Sequence, residues 1–216
     1  MSNKEKSEFE SIWDKGNSIL YELCRENPRH DDLEMTVAKS WLIGRSYSVA
    51  LERRYKSVSN GQITNIPKLY EAFHGLWQSS DLQSQLDREI SKKSMASFEN
   101  LEDFSETLKL HHDLTVSIRR FSGQGISFAS KYLHFHAPKR FPIYDQISKV
   151  NLKNELEKAN LDYTTRSNID FNFDSIDDEY LVFCVNLLSL KKKLESKGNR
   201  SELLTFREID TYLQRY

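Results

Sequence analysis

Turn-forming residues are scarce in this chain. Seven glycines and four prolines in 216 residues are about half or less of the usual share of roughly 12%. A β-sandwich, a barrel or a doubly wound sheet needs more punctuation than that, whereas long helices with few joints need less. Cysteine is scarcer still. Cys24 and Cys184 are the only two, which excludes a disulfide framework, a four-cysteine zinc site and an iron–sulfur cluster held by this chain alone. No apolar run approaches the roughly 18 residues of a membrane span, so no membrane partner is expected. The opening MSNKEKSEFE is charged and has no apolar h-region, so the expected compartment is the cytoplasm. The expected fold is all-α: one helical domain over 1–216, built as two lobes with a cleft.

What is present repeats with helical spacing. Phe9, Ile12, Trp13, Ile19, Leu20 and Leu23 predict a first amphipathic helix ending near Asn27-Pro28. Asp31 or Asp32 can cap a second, with a stripe of Leu33, Val37, Ala38, Trp41 and Leu42, then Val49 after a polar interruption. Ser59-Asn60-Gly61 reads as a turn. Helices are expected over 67–78, 81–90, 101–120 and 127–136, and again after Asp145. Residues 168–178 are polar and acidic, with Phe171 and Phe173 alternating, so a loop or short strand is expected there. Residues 180–194 read as a buried helix whose lysines at 191–193 suit its C-terminal dipole. Thr205-Phe-Arg-Glu208 is a capping box opening a last helix.

The formal net charge is -1, which gives no general reason to expect nucleic acid. Local counting differs. Between residues 107 and 153, Lys109, Arg119, Arg120, Lys131, Lys139, Arg140, Lys149 and Lys153 face only Asp113 and Asp145, and His111, His112, His134 and His136 share the window. A basic centre inside a neutral chain fits a localised phosphate-binding face.

The same window holds two of the glycines and two of the prolines, in Phe121-Ser-Gly-Gln-Gly-Ile-Ser-Phe-Ala-Ser-Lys-Tyr-Leu-His-Phe-His-Ala-Pro-Lys-Arg-Phe-Pro-Ile-Tyr-Asp145. A helix, a turn with glycine at alternate positions, and a second helix with Ala129 in its first turn form one unit. Glycine permits positive φ and close approach, and amides at a helix N-terminus point at any anion in front of them. This segment resembles the helix-hairpin-helix of the DNA glycosylase superfamily, nearest its adenine-specific and endonuclease III-like branches. Phe121, Gly123, Gly125 and Ala129 fill the hairpin pattern. Arg140-Phe-Pro-Ile-Tyr-Asp145 is similar to the loop that ends in the catalytic aspartate, so the hairpin and catalytic loop together span 104–150. Gln124 stands where an aliphatic residue is usual, and Ser127 stands where lyase-competent members carry lysine.

The resemblance implies DNA as partner, no cofactor and no metal, and hydrolysis of the bond between a damaged or modified base and deoxyribose. Asp145 would stabilise the sugar cation, a role compatible with capping the following helix. Lys131, one helical turn after Ser127, is a candidate amine nucleophile, the alternative being a solvated or phosphate-binding lysine. Gly123, Gln124, Gly125 and Ser127 would grip phosphate, with Arg119, Arg120, Lys139 and Arg140 supplying positive field. Leu42-Ile-Gly-Arg-Ser-Tyr47 resembles the early break that plugs the space left by the extruded base, with Arg45 as plug or as a surface arginine beside a packing glycine. Tyr132, His134 and Tyr144 are candidates for a base pocket, against the alternative that aromatics at helical spacing form core. Two other functions stay open: a non-catalytic DNA sensor on the same fold, and a helical protein-interaction module. The sequence leaves open which base is removed and the oligomeric state.

Overall fold

The computed structural model describes residues 8–53, 66–97, 100–170, 175–197 and 204–214. Among these residues there are nine α-helices and no strand: α1 (Glu8–Glu26), α2 (Leu33–Ser46), α3 (Ile66–Ser79), α4 (Leu82–Ser91), α5 (Leu101–Arg119), α6 (Ile126–His136), α7 (Gln146–Lys158), α8 (Asp178–Lys197) and α9 (Phe206–Leu213). A short 3₁₀ turn covers Arg166–Asn168. The protein is all-α, as its few turn-formers require. The turn at Ser59-Asn60-Gly61 and the pair Phe171 and Phe173 lie outside the described residues, and no strand forms at 168–170 or 175–178.

Helix starts follow from short polar side chains that satisfy first-turn amides. Asp32 accepts from the Met35 amide at 2.9 Å, Asn100 from Asp103 at 3.2 Å and Asp145 from Ser148 at 2.8 Å. Thr205 and Glu208 form the reciprocal capping box of α9. Lys39 works at the opposite end of a helix. Its buried ammonium donates to the carbonyls of Asn27 at 2.7 Å and Arg29 at 2.9 Å just past α1, where a cation complements the dipole. The helix holding the 191–193 lysines runs on to Lys197, so Lys191 is not in its last turn and pairs with Glu195 instead.

Two hydrophobic cores result. The first joins α1, α2, α3 and α4 to α6 and to Leu110, Leu114 and Ile118 of α5. The second joins α7, α8 and α9 to Phe104 and Leu108 of α5, with Ile126 and Tyr144. Helix α5 is therefore shared end to end. Helix α6 is enclosed by α1, α2, α4 and α5, and all its residues except Ser127 are buried. Helix α1 turns Asn17, Leu20 and Cys24 inward, while Ile12, Trp13 and Ile19 of its apolar stripe stay exposed.

Gly44 is a packing glycine. A Cβ there would lie 2.9 Å from the Ala50 Cα, because the chain folds back after α2 through Ser48, which has a left-handed φ of 56°. Gly44→Ala should therefore cost about 1–3 kcal/mol through overpacking. A urea midpoint that falls with unchanged slope would show it; an unchanged midpoint would mean that the loop moves aside freely.

Candidate functional site

The site is built on α6. Ser127, Ser130, Lys131 and His134 fall at i, i+3, i+4 and i+7, on one stripe of that helix. Together they seat the extended stretch 141–145, whose Pro142 keeps it from joining a helix. His134 Nδ1 lies 2.7 Å from the Phe141 carbonyl, and the Ser130 hydroxyl accepts from the Tyr144 amide at 3.1 Å. The Tyr144 carbonyl accepts from Ser127 Oγ at 3.1 Å and from Lys131 Nζ at 2.9 Å. From α8, Tyr180 donates its hydroxyl to the Pro142 carbonyl at 2.9 Å. A loop fastened this way holds its last residue, Asp145, in one place.

Lys131 is 1% exposed. Its Nζ donates to Ser127 Oγ at 2.8 Å and lies 3.7 Å from Asp145 Oδ2. Burial pushes the Lys131 pKa below the usual lysine value, and the charges of Asp145 and Asp210 pull part of it back. The solvated-lysine alternative is thereby removed. Asp145 keeps 26% of its side chain exposed while capping α7.

Helix α9 completes the cluster. Gln214, just past its end, donates from Nε2 to Asp145 Oδ2 at 3.1 Å and to Ser148 Oγ at 2.9 Å. Ser148 Oγ donates to Asp210 Oδ1 at 3.2 Å, and Arg207 Nη1 lies 2.6 Å from Asp210 Oδ2. Asp210 is 3% exposed, and burial pushes its pKa up to about 6, with Arg207 opposing and Asp145 reinforcing. Asp210, Gln214 and Arg207 were not singled out from the sequence. A signal was present: Phe206, Ile209, Asp210 and Leu213 fall at i, i+3, i+4 and i+7, so the acid stands inside a core-facing stripe.

The raised Asp210 pKa has a thermodynamic sign. Its carboxyl contributes fully to stability below the unfolded value near 4, and the contribution is lost as pH rises through about 6. Asp210→Asn should therefore gain stability relative to the native chain between pH 4 and 6, by on the order of 2–3 kcal/mol. Urea melts of both proteins at pH 4 and pH 7.5 check this. An equal difference at the two pH values would show that Asp210 is not held in its neutral form by the fold.

Several expected site residues lie elsewhere. Arg140 is 1% exposed and cannot supply field to DNA. Its guanidinium bonds Glu89 at 2.8 Å, Asp103 at 2.7 Å and Thr107 at 2.8 Å. Tyr132 is fully buried with its hydroxyl 2.7 Å from His30 Nε2, and Tyr144 is buried with its hydroxyl donating to Glu179 at 2.6 Å. Neither can stack on a base, and the core alternative holds for both. His134 is also fully buried, its Nε2 2.6 Å from the hydroxyl of half-buried Tyr21. The Phe141 carbonyl can only accept, so His134 carries its proton on Nδ1 and accepts from Tyr21. Burial lowers its pKa to about 4, so the ring is neutral near pH 7.

The α5–α6 turn differs from expectation in one amide. Gln124 N–H donates to Ser122 Oγ at 3.1 Å, and that hydroxyl donates to the Leu51 carbonyl at 2.9 Å, so Gln124 does not offer its amide to phosphate. His111 Nε2 donates to the Ile126 carbonyl at 3.1 Å, beneath the start of α6. Gly125 has a φ of -162°, extended backbone that does not call on the positive φ open to glycine. A Cβ there would meet Arg119 Nε at 2.7 Å. It caps α6 with no side-chain hydrogen bond.

The remaining basic residues are exposed. Arg119 lies 3.8 Å from Asp177, and Lys139 donates to the Lys93 carbonyl at 3.3 Å. Arg45 pairs with Glu52, and its guanidinium sits 5.9 Å from the Trp41 ring centroid. Neither described contact of Arg45 reaches the Asp145 cluster. Arg120 lines a groove of about 540 Å³ between α4 and α5, with Asp81, Arg88, Lys109, His112 and Asp113. That groove shares no residue with the Asp145 cluster. Compared with protein-family models, curated proteins and solved structures, the chain has no significant match.

Proposed function

We propose that the chain is a DNA glycosylase of the helix-hairpin-helix kind, releasing a damaged or modified base by hydrolysis. The observation that carries this reading is Asp145: a partly exposed carboxylate at the end of a fastened loop, 3.7 Å from a buried ammonium. Two further features support it. The first-turn amides of α6 have no side-chain cap, which suits a phosphate. Ser127, in that same turn, bonds the residue before Asp145, so the amides and the carboxylate belong to one end of α6.

In the reaction, the extruded base departs with the electron pair of its C1′–N bond, and positive charge builds on the sugar. Asp145 stabilises that charge. Water adds to C1′ and yields its proton to Asp145, and the base takes up a proton as it leaves. Ser127 Oγ, the Tyr144 carbonyl and Asp145 Oδ2 surround Lys131 Nζ, matching the three N–H groups of an ammonium. These neighbours favour the charged amine, which has no lone pair to attack a sugar. Lys131 therefore positions Asp145, and the product is an abasic site without a strand break.

Non-catalytic DNA sensing is favoured by one observation: Asp145 also caps α7, which requires no reaction. Duplexes each holding one modified base, incubated with the protein and then treated with alkali, separate the readings. Strand breaks only after alkali are expected for at least one base. Binding with no abasic site on any duplex would support the sensor. Failure to bind DNA at any salt concentration would support a protein-interaction module, because phosphate contacts impose a steep salt slope.

A further inference from the structure

We propose that Asp210 is a positioning residue for the reacting carboxylate, acting through Ser148 and Gln214; this role rests on the glycosylase reading. The hydrogen bonds run in one direction. Arg207 donates to Asp210 Oδ2, and Ser148 gives its single hydroxyl proton to Asp210 Oδ1. Ser148 Oγ is then free only to accept, and it accepts one N–H of Gln214 at 2.9 Å. The other N–H of that amide is left for Asp145, whose two oxygens lie at 3.1 Å and 3.3 Å. An ionised Asp210 can only accept, so it dictates the direction of every later bond.

Protonation reverses the chain. A neutral Asp210 can give its proton to Ser148 Oγ, which must then turn its own hydroxyl elsewhere. Ser148 Oγ can still accept from Gln214 with its second lone pair, but nothing then fixes the direction of its hydroxyl, and the Gln214 amide that orients Asp145 is held less firmly. The charged and titratable groups around Asp210 are Arg207 on its own helix, Asp145 at the start of α7, Lys131 of α6, and the phenols of Tyr21 and Tyr47 from α1 and the end of α2. Burial pushes both phenols above their ordinary pKa, so they stay neutral below pH 8. Burial pushes the Asp210 carboxyl up to about 6, inside the range over which base release is measured.

The fold keeps this acid ionised at neutral pH against the cost of burial, at the far end of a chain that ends on Asp145.

Single-turnover base release across pH 4.5–8.5 tests the role in native protein, Asp210→Asn, Ser148→Ala and the double variant. The native rate is expected to fall on the acid side of about pH 6. Asp210→Asn should lower the neutral-pH rate roughly a hundredfold, lose that acid limb and leave duplex affinity unchanged. Ser148→Ala should cost about as much, and the double variant no more than either, because the two act in one chain. Urea midpoints at each pH correct for unfolded protein. A native-like rate and pH profile in Asp210→Asn, with the native protein active, overturns this role alone. Additive losses in the double variant overturn it too. A native protein that releases no base from any duplex overturns the glycosylase reading and this role with it.

Discussion

Asp145→Asn should lower base release by about three orders of magnitude while leaving the cap of α7 in place. The substitution separates the observed role of this side chain, the N-cap of α7, from the one proposed for it. As an N-cap, asparagine is about as good as aspartate, so the bond from the Ser148 amide, 2.8 Å in the native chain, can persist with Asn Oδ1 as acceptor. As a stabiliser of a sugar cation, asparagine has lost the charge that does the work. The urea midpoint should fall, because the buried Lys131 ammonium loses a charge that offsets its burial, so rates are compared per folded molecule. Duplex affinity should stay the same or rise, because a negative charge near phosphates has been removed. Single-turnover release and equilibrium binding on one preparation check all three. Release that falls only in proportion to the folded fraction would assign Asp145 to capping alone.

Arg140→Met should destabilise the protein by about 3–5 kcal/mol. The guanidinium lies under α4 and α5 and joins Glu89, Asp103, Thr107 and the Ser94 carbonyl. Lys92 closes the same network, bonding Glu89, Asp103 and Glu106. Methionine can fill the volume but leaves Glu89, which is 2% exposed, without one of its two cations. A buried carboxylate stripped of a partner bears most of its desolvation cost. Denaturant melts give the size of the loss. The salt slope of DNA binding, measured on folded protein, should not change, because Arg140 does not reach solvent. Exposed Lys139, its neighbour, is the residue whose removal should flatten that slope if this face meets phosphate.

Much of this architecture was legible from local signals. Asp32, Asp145 and the Thr205–Glu208 box mark helix starts in the sequence, and each caps the expected helix. The Phe-Pro-Ile-Tyr-Asp stretch is extended, as its proline requires. The site was legible only in part, for two physical reasons. Helix α6 is surrounded, so no face of it is a solvent face. Phe128, Lys131, Tyr132 and His134 are all buried, and helical spacing cannot then say which of them reaches a cleft. That is why Tyr132 and His134 read as pocket residues, and why Lys131 was left between solvent, phosphate and catalysis.

The second reason is sequence distance. Arg140 and Glu89 are 51 positions apart, and Gln214 meets Asp145 across 69. A count of charges in one window sees Arg140 but not the acid that buries it. It cannot see α9 at all. Asp210 in an otherwise apolar stripe was the one local clue to that helix, and Lys39, inward on α2, was the equivalent clue to the buried cap of α1.

The most direct measurement uses no knowledge of the base. A duplex carrying a protonated pyrrolidine in place of one sugar puts a positive charge where it builds during glycosidic cleavage, and a tetrahydrofuran duplex of the same sequence is its neutral control. If Asp145 faces that sugar, the native protein binds the cationic duplex about tenfold tighter or more, and Asp145→Asn binds both alike. Equal affinity of the native protein for the two duplexes, or a preference that survives in Asp145→Asn, would contradict a carboxylate acting on DNA at this site.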